Sequence, residues 1–316
     1  MPPSFVHQIT KYDPADADER GNYVGPEDTV SDHGPVEAAY LEAIAAFARS
    51  SGIDRLEIRE PEVTGFVNFG LETPVEGHGL AGLFPPDLTG YHDGAEVSLP
   101  VALQLVRAML RDEGAWCRLE AGDVFTVHVG WDQYVYVGSD QSCEDAVART
   151  RELGLFPRRL TASPYAAEFD EKDEKPAADE AFWADVGTEL TARQSLLLEE
   201  TYVLNATRWH RLTNDTLDAV RAGLGPRALL TVWPDLSTDV DAVLAALPED
   251  SSVDFVWETP DGTLRHAVVD DTEYQQLAAS TADARAACAL PLTQDDRHPL
   301  LRAVLPDNDG ILRARW

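Results

Sequence analysis

Two consecutive predicted strands carry the side chains whose types and spacing could do chemistry. The first, over 124–130, places Phe125, Val127 and Val129 on one face and Thr126 and His128 on the other, and the second, over 133–138, places Tyr134 and Tyr136 on one face with valine on the other. Successive side chains of a strand point to opposite faces of a sheet. When the valines pack inward, the opposite face therefore presents an imidazole and two phenol rings together, with Trp131 in the connecting turn.

An aromatic surface on a sheet can stack unpaired nucleic-acid bases or fill a pocket of a protein partner. The alternative is that the tyrosines pack beneath a helix with their hydroxyls hydrogen-bonded at the rim. Basic residues that usually accompany base stacking are scarce in this region. Arg118 is the one that we include in the candidate binding site, together with His128, Trp131, Tyr134 and Tyr136.

Histidines elsewhere give only scattered candidates for acid–base chemistry. Asp32 and His33 stand where a helix is predicted to begin, so they could contact an anion or simply enter and cap the helix. His78 and His92 lie in a glycine-rich loop, 77–94, without a third ligand at a metal-binding spacing. We predict no catalytic set, metal site or cofactor, and keep an enzyme built from these four residues as an alternative.

The chain is strongly acidic. It has 56 Asp and Glu against 25 Lys and Arg, which gives a formal net charge of −31. A surface of this charge repels duplex DNA and anionic membranes and favours a basic partner. The alternative is adaptation to a salty solvent, because acidic enrichment with few lysines also occurs in salt-adapted proteins.

Cysteine use and hydropathy predict a cytoplasmic protein without a membrane segment. The three cysteines are widely spaced and odd in number, which fits reduced thiols better than a disulfide framework or a zinc site. The first residues show no basic segment followed by an apolar stretch, so no secretory signal is expected. Apolar runs are far shorter than the roughly 20 residues that cross a bilayer.

Hydrophobic periodicity predicts an α+β domain over 1–166. Short gaps between the last three strands indicate an antiparallel meander. The predicted helices are 35–51, 99–111 and 143–154, with Ser98 as the N-cap of the second, and the predicted strands are 5–10, 54–60 with its partner 63–69, 116–120, 124–130 and 133–138.

An acidic segment, 167–180, buries too little apolar surface to fold alone and is predicted to be an interdomain linker. A second α+β domain is predicted over 181–316. Its helices are 180–193, 195–204, 215–223, 239–247 and 271–287, its single strand is 229–233, and its hairpins are 253–258 with 263–269 and 301–305 with 311–315. The predicted class is α+β, with two domains that each combine a hairpin-linked mixed or antiparallel sheet with packed helices.

Three segments carry a resemblance to a known group: 12–16 (YDPAD), 28–40 (DTVSDHGPVEAAY) and 129–138 (VGWDQYVYVG). Over most of its length the chain resembles uncharacterised actinobacterial proteins that are often labelled RNA-binding proteins. The resemblance agrees with the lysine-poor, arginine- and alanine-rich composition, which is typical of a GC-rich genome. It therefore argues against salt adaptation as the origin of the acidic composition. It implies RNA as the ligand, but it implies no mechanism and no particular functional residues.

These observations together predict a non-enzymatic, cytoplasmic binding protein. RNA would be held by stacking of unpaired bases on the aromatic sheet face rather than through its backbone charge. The alternative from another class is an acidic protein-interaction module, such as an inhibitor, an immunity protein or a nucleic-acid mimic, that covers a basic protein. The scattered-histidine enzyme is the second alternative.

Overall fold

In the computed structural model, six stretches of the chain are described: 3–20, 23–25, 33–68, 79–130, 134–165 and 175–316. The fold is mixed α+β, as the sequence predicts. The chain divides into two compact units, the first built mainly from 1–64 and 76–173 and the second mainly from 174–314. Of the predicted acidic linker, only the part from residue 175 onward is described, and there Asp179 caps the next helix.

The first unit is a sheet with helices packed on it. Its elements are β1 (Phe5–Thr10), α1 (Pro35–Ser50), β2 (Arg55–Asn68), β3 (Glu96–Ser98), α2 (Leu99–Leu110), β4 (Ala115–Ala121), β5 (Phe125–Val129), β6 (Val135–Ser139), α3 (Glu144–Glu152) and β7 (Phe156–Leu160). The strands pair in the order β2–β4–β5–β6–β1–β7, β3 also pairs with β2, and these pairings are antiparallel. The helix α2 packs against β4 and β5, and α1 packs against β6.

The α-helices α1, α2 and α3 begin and end close to the residues predicted for the helices of this unit. Pro35 stands in the first turn of α1, where the absent N–H costs no hydrogen bond, and Gly34 precedes it with a φ of 72°. Ser98 occupies the N-cap position of α2, as predicted, although its side chain makes no capping hydrogen bond. Apolar residues at helical spacing cover the sheet, and Leu119 and Val127 are fully buried in the core.

The predicted meander is confirmed, because β4, β5 and β6 pair antiparallel in sequence order. The predicted pairing of 54–60 with 63–69 is wrong, since both segments belong to the single strand β2. A register shift between Arg59 and Glu62 marks a bulge, in which Glu60 has a φ of 50°. Pro61 interrupts the strand pattern in the sequence, and the bulge accommodates this residue that cannot donate a ladder hydrogen bond.

Strand β7 is not predicted by the hydrophobic pattern of the sequence. It contains Pro157 and two arginines and lies at the edge of the sheet, where its described pairing is with β1. Proline and charged side chains are typical of edge strands, because one backbone edge needs no partner. The hydrophobic alternation that marks a strand is therefore weak here.

The elements of the second unit are α4 (Glu180–Arg193), β8 (Leu196–Leu212), α5 (Leu217–Gly223), β9 (Leu229–Pro234), α6 (Val240–Ala245), β10 (Val253–Glu258), β11 (Leu264–Val269), α7 (Tyr274–Ser280), β12 (Ala286–Pro291) and β13 (Leu301–Val304). Its strands pair antiparallel in two sets, in the orders β8–β9–β13 and β11–β10–β12. The predicted hairpin of 253–258 with 263–269 is confirmed.

Three predictions in this unit are wrong. The segment 195–204 is not a helix but the first part of strand β8, which is buried on both faces and so lacks alternation. The predicted helix 271–287 ends at Ser280, and its alanine-rich remainder enters β12, where Ala287 faces Trp257. Residues 311–315 form no strand. The turn before them is closed instead by ion pairs of Arg313, and β13 pairs with β9.

None of the helices in the described part of the chain has the length and apolarity needed to cross a bilayer.

Candidate functional site

The predicted aromatic face exists, but it is covered. His128 faces Tyr136 across the β5–β6 pairing, and each is only 6% exposed. The ring of Tyr165 lies 4.0 Å from the ring of His128 and 5.3 Å from that of Tyr136. The hydroxyl of Tyr136 accepts a hydrogen bond from Nε2 of Gln8 at 3.0 Å. The tyrosine is therefore packed and satisfied, beneath a loop rather than a helix.

Of the other residues of the predicted site, the structure describes Arg118 and Tyr134, which have different surroundings. Nε of Arg118 donates to Glu60 at 2.8 Å, so its charge is paired, and it shares a small cavity with His128. Tyr134 is half-buried, with its ring 6.1 Å from that of Tyr12. Trp131 lies outside the described residues. The described part of this face does not present an open surface on which bases could stack.

The scattered histidines of the enzyme alternative are described only in part. His33 is exposed just before α1, whereas Asp32 and His78 lie outside the described residues. Nδ1 of His92 is 3.0 Å from the carbonyl oxygen of Asp93, so it bonds to its own neighbour. Among the described residues, no group of three His, Cys, Asp or Glu side chains is placed to hold a metal ion.

A different site emerges in the second unit, on one face of the β8–β9–β13 sheet. The register places Glu199 opposite Thr231 and Thr231 opposite Arg302, so these three side chains form one row across the strands. Trp233 stands two residues further along β9 and so on the same face. A carboxylate, a hydroxyl, a guanidinium and an indole thus converge because the antiparallel register fixes their neighbours.

Glu199 is buried and held by two donors. Nε1 of Trp233 donates to Oε2 of Glu199 at 2.9 Å, and Nη2 of Arg297 donates to the same oxygen at 2.7 Å. Burial raises the pKa of Glu199 above its ordinary value, although the Arg297 charge and the Trp233 hydrogen bond oppose the shift. The guanidinium of Arg297 also lies over the indole of Trp233, 4.9 Å from the ring centroid.

The guanidinium of Arg302, unlike that of Arg297, has no hydrogen bond to a carboxylate among the described residues. Its side chain is half-buried, and no hydrogen bond or ion pair joins that side chain to another residue in the described ranges. Burial lowers the pKa of the Arg302 guanidinium, the nearby charge of Arg297 lowers it further, and Glu199 only partly compensates. Nε of Arg302 and Nε of Arg297 are both buried without a partner among the described residues. Two guanidinium groups therefore share one site with two carboxylates, of which Glu199 is bonded to Arg297 and Asp254 to His266.

These side chains line a cavity of about 420 Å³. Its polar wall holds Glu199, Asp254, Arg297 and Arg302, with Asn205 and three threonines. Its apolar wall is formed by leucine, proline and tryptophan side chains: Leu204, Leu229, Leu292, Pro299, Trp233 and Trp316. Mostly apolar walls with a few converging polar groups are typical of small-molecule sites.

The side chains in and near the cavity suit the binding of a ligand better than nucleophilic attack on it. Oδ1 of Asp254 is 2.7 Å from Nδ1 of His266, and both side chains are buried. Burial, followed by the charges of Asp254 and Asp235, raises the pKa of Cys288 to about 12. A thiol with this pKa is protonated at neutral pH and is a poor nucleophile.

The sequence analysis missed this site. Glu199 fell in a segment predicted to be a helix, and Arg297 and Arg302 belong to a region without a motif. The available signal was the pair of adjacent glutamates, Glu199 and Glu200, inside an otherwise apolar run. Buried carboxylates need partners, so such a pair indicates cations brought from elsewhere in the chain.

No protein-family model matches the chain, and neither a curated protein nor a solved structure is significantly similar to it. The candidate site is therefore argued from its own geometry.

Proposed function

We propose that this is a binding protein whose second unit holds a small organic anion in the cavity lined by Glu199, Arg297 and Arg302. The observation that carries the proposal is the half-buried Arg302 guanidinium, which lacks a partner among the described residues beside a second guanidinium. Crowded cations in a site of low dielectric constant are stabilised when an anion completes the set.

The chemistry of the cavity indicates the kind of anion. The planar guanidinium of Arg302 matches a carboxylate or phosphate group through paired N–H donors. Leu204, Leu229 and Leu292 offer an apolar wall for the body of the same molecule. Glu199 keeps Arg297 in position through their hydrogen bond of 2.7 Å, so the anion is expected to bind chiefly to Arg302.

Binding without chemistry fits these groups better than catalysis. Glu199 already accepts two hydrogen bonds, and the Cys288 thiol is protonated. The expectation of RNA stacked on the aromatic face has less support, because His128 and Tyr136 are each 6% exposed beneath Tyr165. A small anion in the second unit needs no such opening.

The test is calorimetric titration with benzoate and phenyl phosphate, which combine an anionic group with an apolar ring. Benzyl alcohol serves as the uncharged counterpart. We expect both anions to bind saturably and benzyl alcohol to bind at least tenfold more weakly. Arg302→Met should lower anion affinity at least tenfold, since a charge-assisted pair contributes about 1.5–3 kcal/mol.

The matched control is Arg285→Met, because Arg285 is an exposed arginine of the same unit and does not line the cavity. This variant should bind both anions like the unsubstituted protein. Equal binding of benzyl alcohol, or unchanged anion affinity in Arg302→Met, would overturn the proposal. A single-stranded RNA that binds with the same affinity to Arg302→Met, while the small anions do not bind at all, would also overturn it.

A further inference from the structure

The anion cavity, lined by Glu199, Arg297 and Arg302, also has an acidic side. Asp254 lines the same cavity, so two carboxylates accompany the two guanidinium groups. The carboxylates come from different sets of strands, because Glu199 lies on β8 and Asp254 on β10. The polar wall therefore offers a place for a cationic group as well as for an anionic one.

The hydrophobic core of the second unit brings these two carboxylates together. Leu197 of β8 and Trp233 of β9 pack in one cluster with Val256 of β10. Glu199 stands two residues after Leu197 and therefore on the same face of its strand. Asp254 stands two residues before Val256 and shares the face of that residue. Both carboxylates thus lie where the packing of this cluster ends and the cavity begins.

Each carboxylate uses only one of its two oxygens within the described part of the protein. Oε2 of Glu199 accepts the hydrogen bonds from Trp233 and Arg297. Oδ1 of Asp254 lies 2.7 Å from Nδ1 of His266. Oε1 of Glu199 and Oδ2 of Asp254 have no hydrogen-bond partner among the described residues, yet both atoms keep accessible surface. Each of the two side chains is 8% exposed, so two acceptor atoms are open to a ligand in the cavity.

The two carboxylates also repel one another. Burial is the main cause of the raised pKa of Glu199, and the charge of Asp254 raises it further. A cation beside both carboxylates relieves this repulsion. Two open oxygens are fewer than the roughly six ligands that calcium or magnesium takes, but they match the N–H donors of an ammonium group, which has no acceptor.

The spacing across the sheet favours one molecule that carries both charges. Neighbouring strands lie about 4.8 Å apart, so the Cα atoms of Glu199 and Arg302, with Thr231 between them, stand about 10 Å apart. An ammonium nitrogen and a carboxylate carbon on the same Cα are about 2.5 Å apart. With the C–O bond and a hydrogen bond of about 2.9 Å at each end, this unit spans about 9–10 Å. An α-amino acid therefore reaches from one side of the row to the other.

We propose that the ligand of the anion cavity is an α-amino acid with an apolar side chain. This inference rests on the proposed function, since the carboxylate of the amino acid is the anion that pairs with Arg302. Its ammonium group donates to Oε1 of Glu199 and Oδ2 of Asp254, and its side chain packs on the leucines of the apolar wall. A cavity of about 150 Å³ holds benzene and its six non-hydrogen atoms, so 420 Å³ has room for about fifteen, more than phenylalanine needs.

The experiment is calorimetric titration at pH 7.5 with three molecules that share one carbon skeleton. L-Phenylalanine carries both charged groups, 3-phenylpropionate lacks the ammonium group, and 2-phenylethylamine lacks the carboxylate. We expect L-phenylalanine to bind saturably and at least tenfold more tightly than either counterpart. The physical reason is that each of its charged groups gains hydrogen bonds to an opposite charge.

Removing one carboxylate should separate the two contributions. Asp254→Asn keeps an oxygen for His266 and should lower the affinity for L-phenylalanine at least tenfold without weakening 3-phenylpropionate. The matched control is Asp250→Asn, because Asp250 is exposed in the same unit and does not line the cavity. It should bind all three molecules like the unsubstituted protein. Glu199→Gln should weaken L-phenylalanine and tighten 3-phenylpropionate, and it remains the test should Asp254→Asn not fold.

Binding of 3-phenylpropionate as tight as that of L-phenylalanine would overturn this inference and leave the proposed anion site intact. Equal affinity for 2-phenylethylamine, or unchanged affinity for L-phenylalanine in Asp254→Asn, would overturn it as well. Should L-phenylalanine, 3-phenylpropionate, benzoate and phenyl phosphate all fail to bind, the proposed function itself is wrong and this inference is wrong with it.

Discussion

Glu199 and Arg302 stand on either side of Thr231 in one cross-strand row, yet the guanidinium that bonds to Glu199 is that of Arg297, at 2.7 Å. The strand register thus places Arg302 on the cavity wall, where its guanidinium has no hydrogen-bonded counter-ion among the described residues. Both carboxylates of the cavity wall have other partners, since Glu199 is bonded to Arg297 and Asp254 to His266. The Arg302 guanidinium is therefore the group that we expect a bound anion to pair with.

Removing the Arg302 charge should stabilise the folded protein. Arg302→Met keeps a long apolar side chain and removes a half-buried guanidinium whose pKa is lowered by burial and by Arg297. The free energy of unfolding should rise by about 1 kcal/mol, because an apolar side chain needs no counter-ion. Urea unfolding at pH 7.5 measures this change. The exposed Arg285→Met should alter it by less than about 0.5 kcal/mol. Destabilisation by Arg302→Met would mean that the guanidinium already has a stabilising role.

Neutralising Glu199 should tighten anion binding. Glu199→Gln keeps the shape of the side chain and removes the negative charge beside Arg297. Affinity for benzenesulfonate should rise roughly five- to tenfold, about 1 kcal/mol, as expected when one nearby like charge is lost. The pKa of Glu199 is raised, so affinity of the unsubstituted protein should also increase as the pH falls toward that pKa.

Benzenesulfonate stays ionised across this pH range, so its own titration does not contribute. In Glu199→Gln the increase on acidification should be absent. The exposed Glu249→Gln should behave like the unsubstituted protein. A parallel pH dependence in all three proteins would assign the effect to another group.

His128 should make the protein sensitive to mild acid. Its folded pKa is lowered from 6.5 to about 3, so between these values the unfolded chain binds the proton and the folded one does not. Stability is therefore lost as the pH falls through 6.5 toward 3, by about 2 kcal/mol between pH 7.5 and pH 5. His128→Phe removes this contribution.

Urea unfolding of both proteins at pH 7.5 and pH 5 isolates the contribution of His128, because other groups, such as the buried His7, titrate equally in each. The free energy of unfolding of His128→Phe should drop by about 2 kcal/mol less than that of the unsubstituted protein. Equal losses in the two proteins would contradict a neutral buried His128.

Glu37 should be a major source of stability in the first unit. It is 4% exposed near the start of α1 and accepts from Nε of Arg107 at 2.8 Å and from Nε of Arg111 at 2.5 Å, both in or next to α2. Burial alone would raise the pKa of Glu37, but the hydrogen bonds and charges of Arg111 and Arg107 more than offset this and lower it. Glu37→Gln should cost about 2 kcal/mol, because Arg107 loses its carboxylate partner and Arg111 keeps only the longer ion pair with Glu113, at 3.6 Å.

The control for Glu37 lies on the same helix. Glu42 is half-buried, with its side chain 43% exposed, and pairs with the exposed Arg49 at 3.2 Å, so Glu42→Gln should cost less than about 0.5 kcal/mol. The difference between the two variants should vanish in acid, as the pH falls through the lowered pKa of Glu37. Equal costs for both variants at pH 7.5 would show that the Glu37 pairs contribute little.

The parts of the fold that were predictable depend on neighbours in sequence. The meander of β4, β5 and β6 was evident because short turns force consecutive strands to pair. The helices α1 and α2 were evident because apolar residues recur at helical spacing and a proline stands in the first turn of each. Alternation also placed His128 and Tyr136 correctly on one face.

What the sequence could not predict depends on partners distant in the chain. Strand β8 looks helical because Leu196, Leu197 and Leu198 are consecutive and two glutamates follow, whereas a strand buried on both faces shows no alternation. Glu199 tolerates burial only because Arg297 reaches it from 98 residues away. The cover on the aromatic face likewise comes from Tyr165, beyond every strand that forms the face.

The anion cavity belongs to a chain whose net charge is −31. At a distance an approaching anion meets the field of the whole molecule, and only at close range do Arg297 and Arg302 dominate. Association should therefore be slow at low ionic strength and accelerate as salt shortens the Debye length to about 10 Å at 0.1 M, the reverse of ordinary electrostatic steering. Dissociation depends on contacts inside the cavity and should respond far less, so the bound lifetime and the capture rate are set by different parts of the protein.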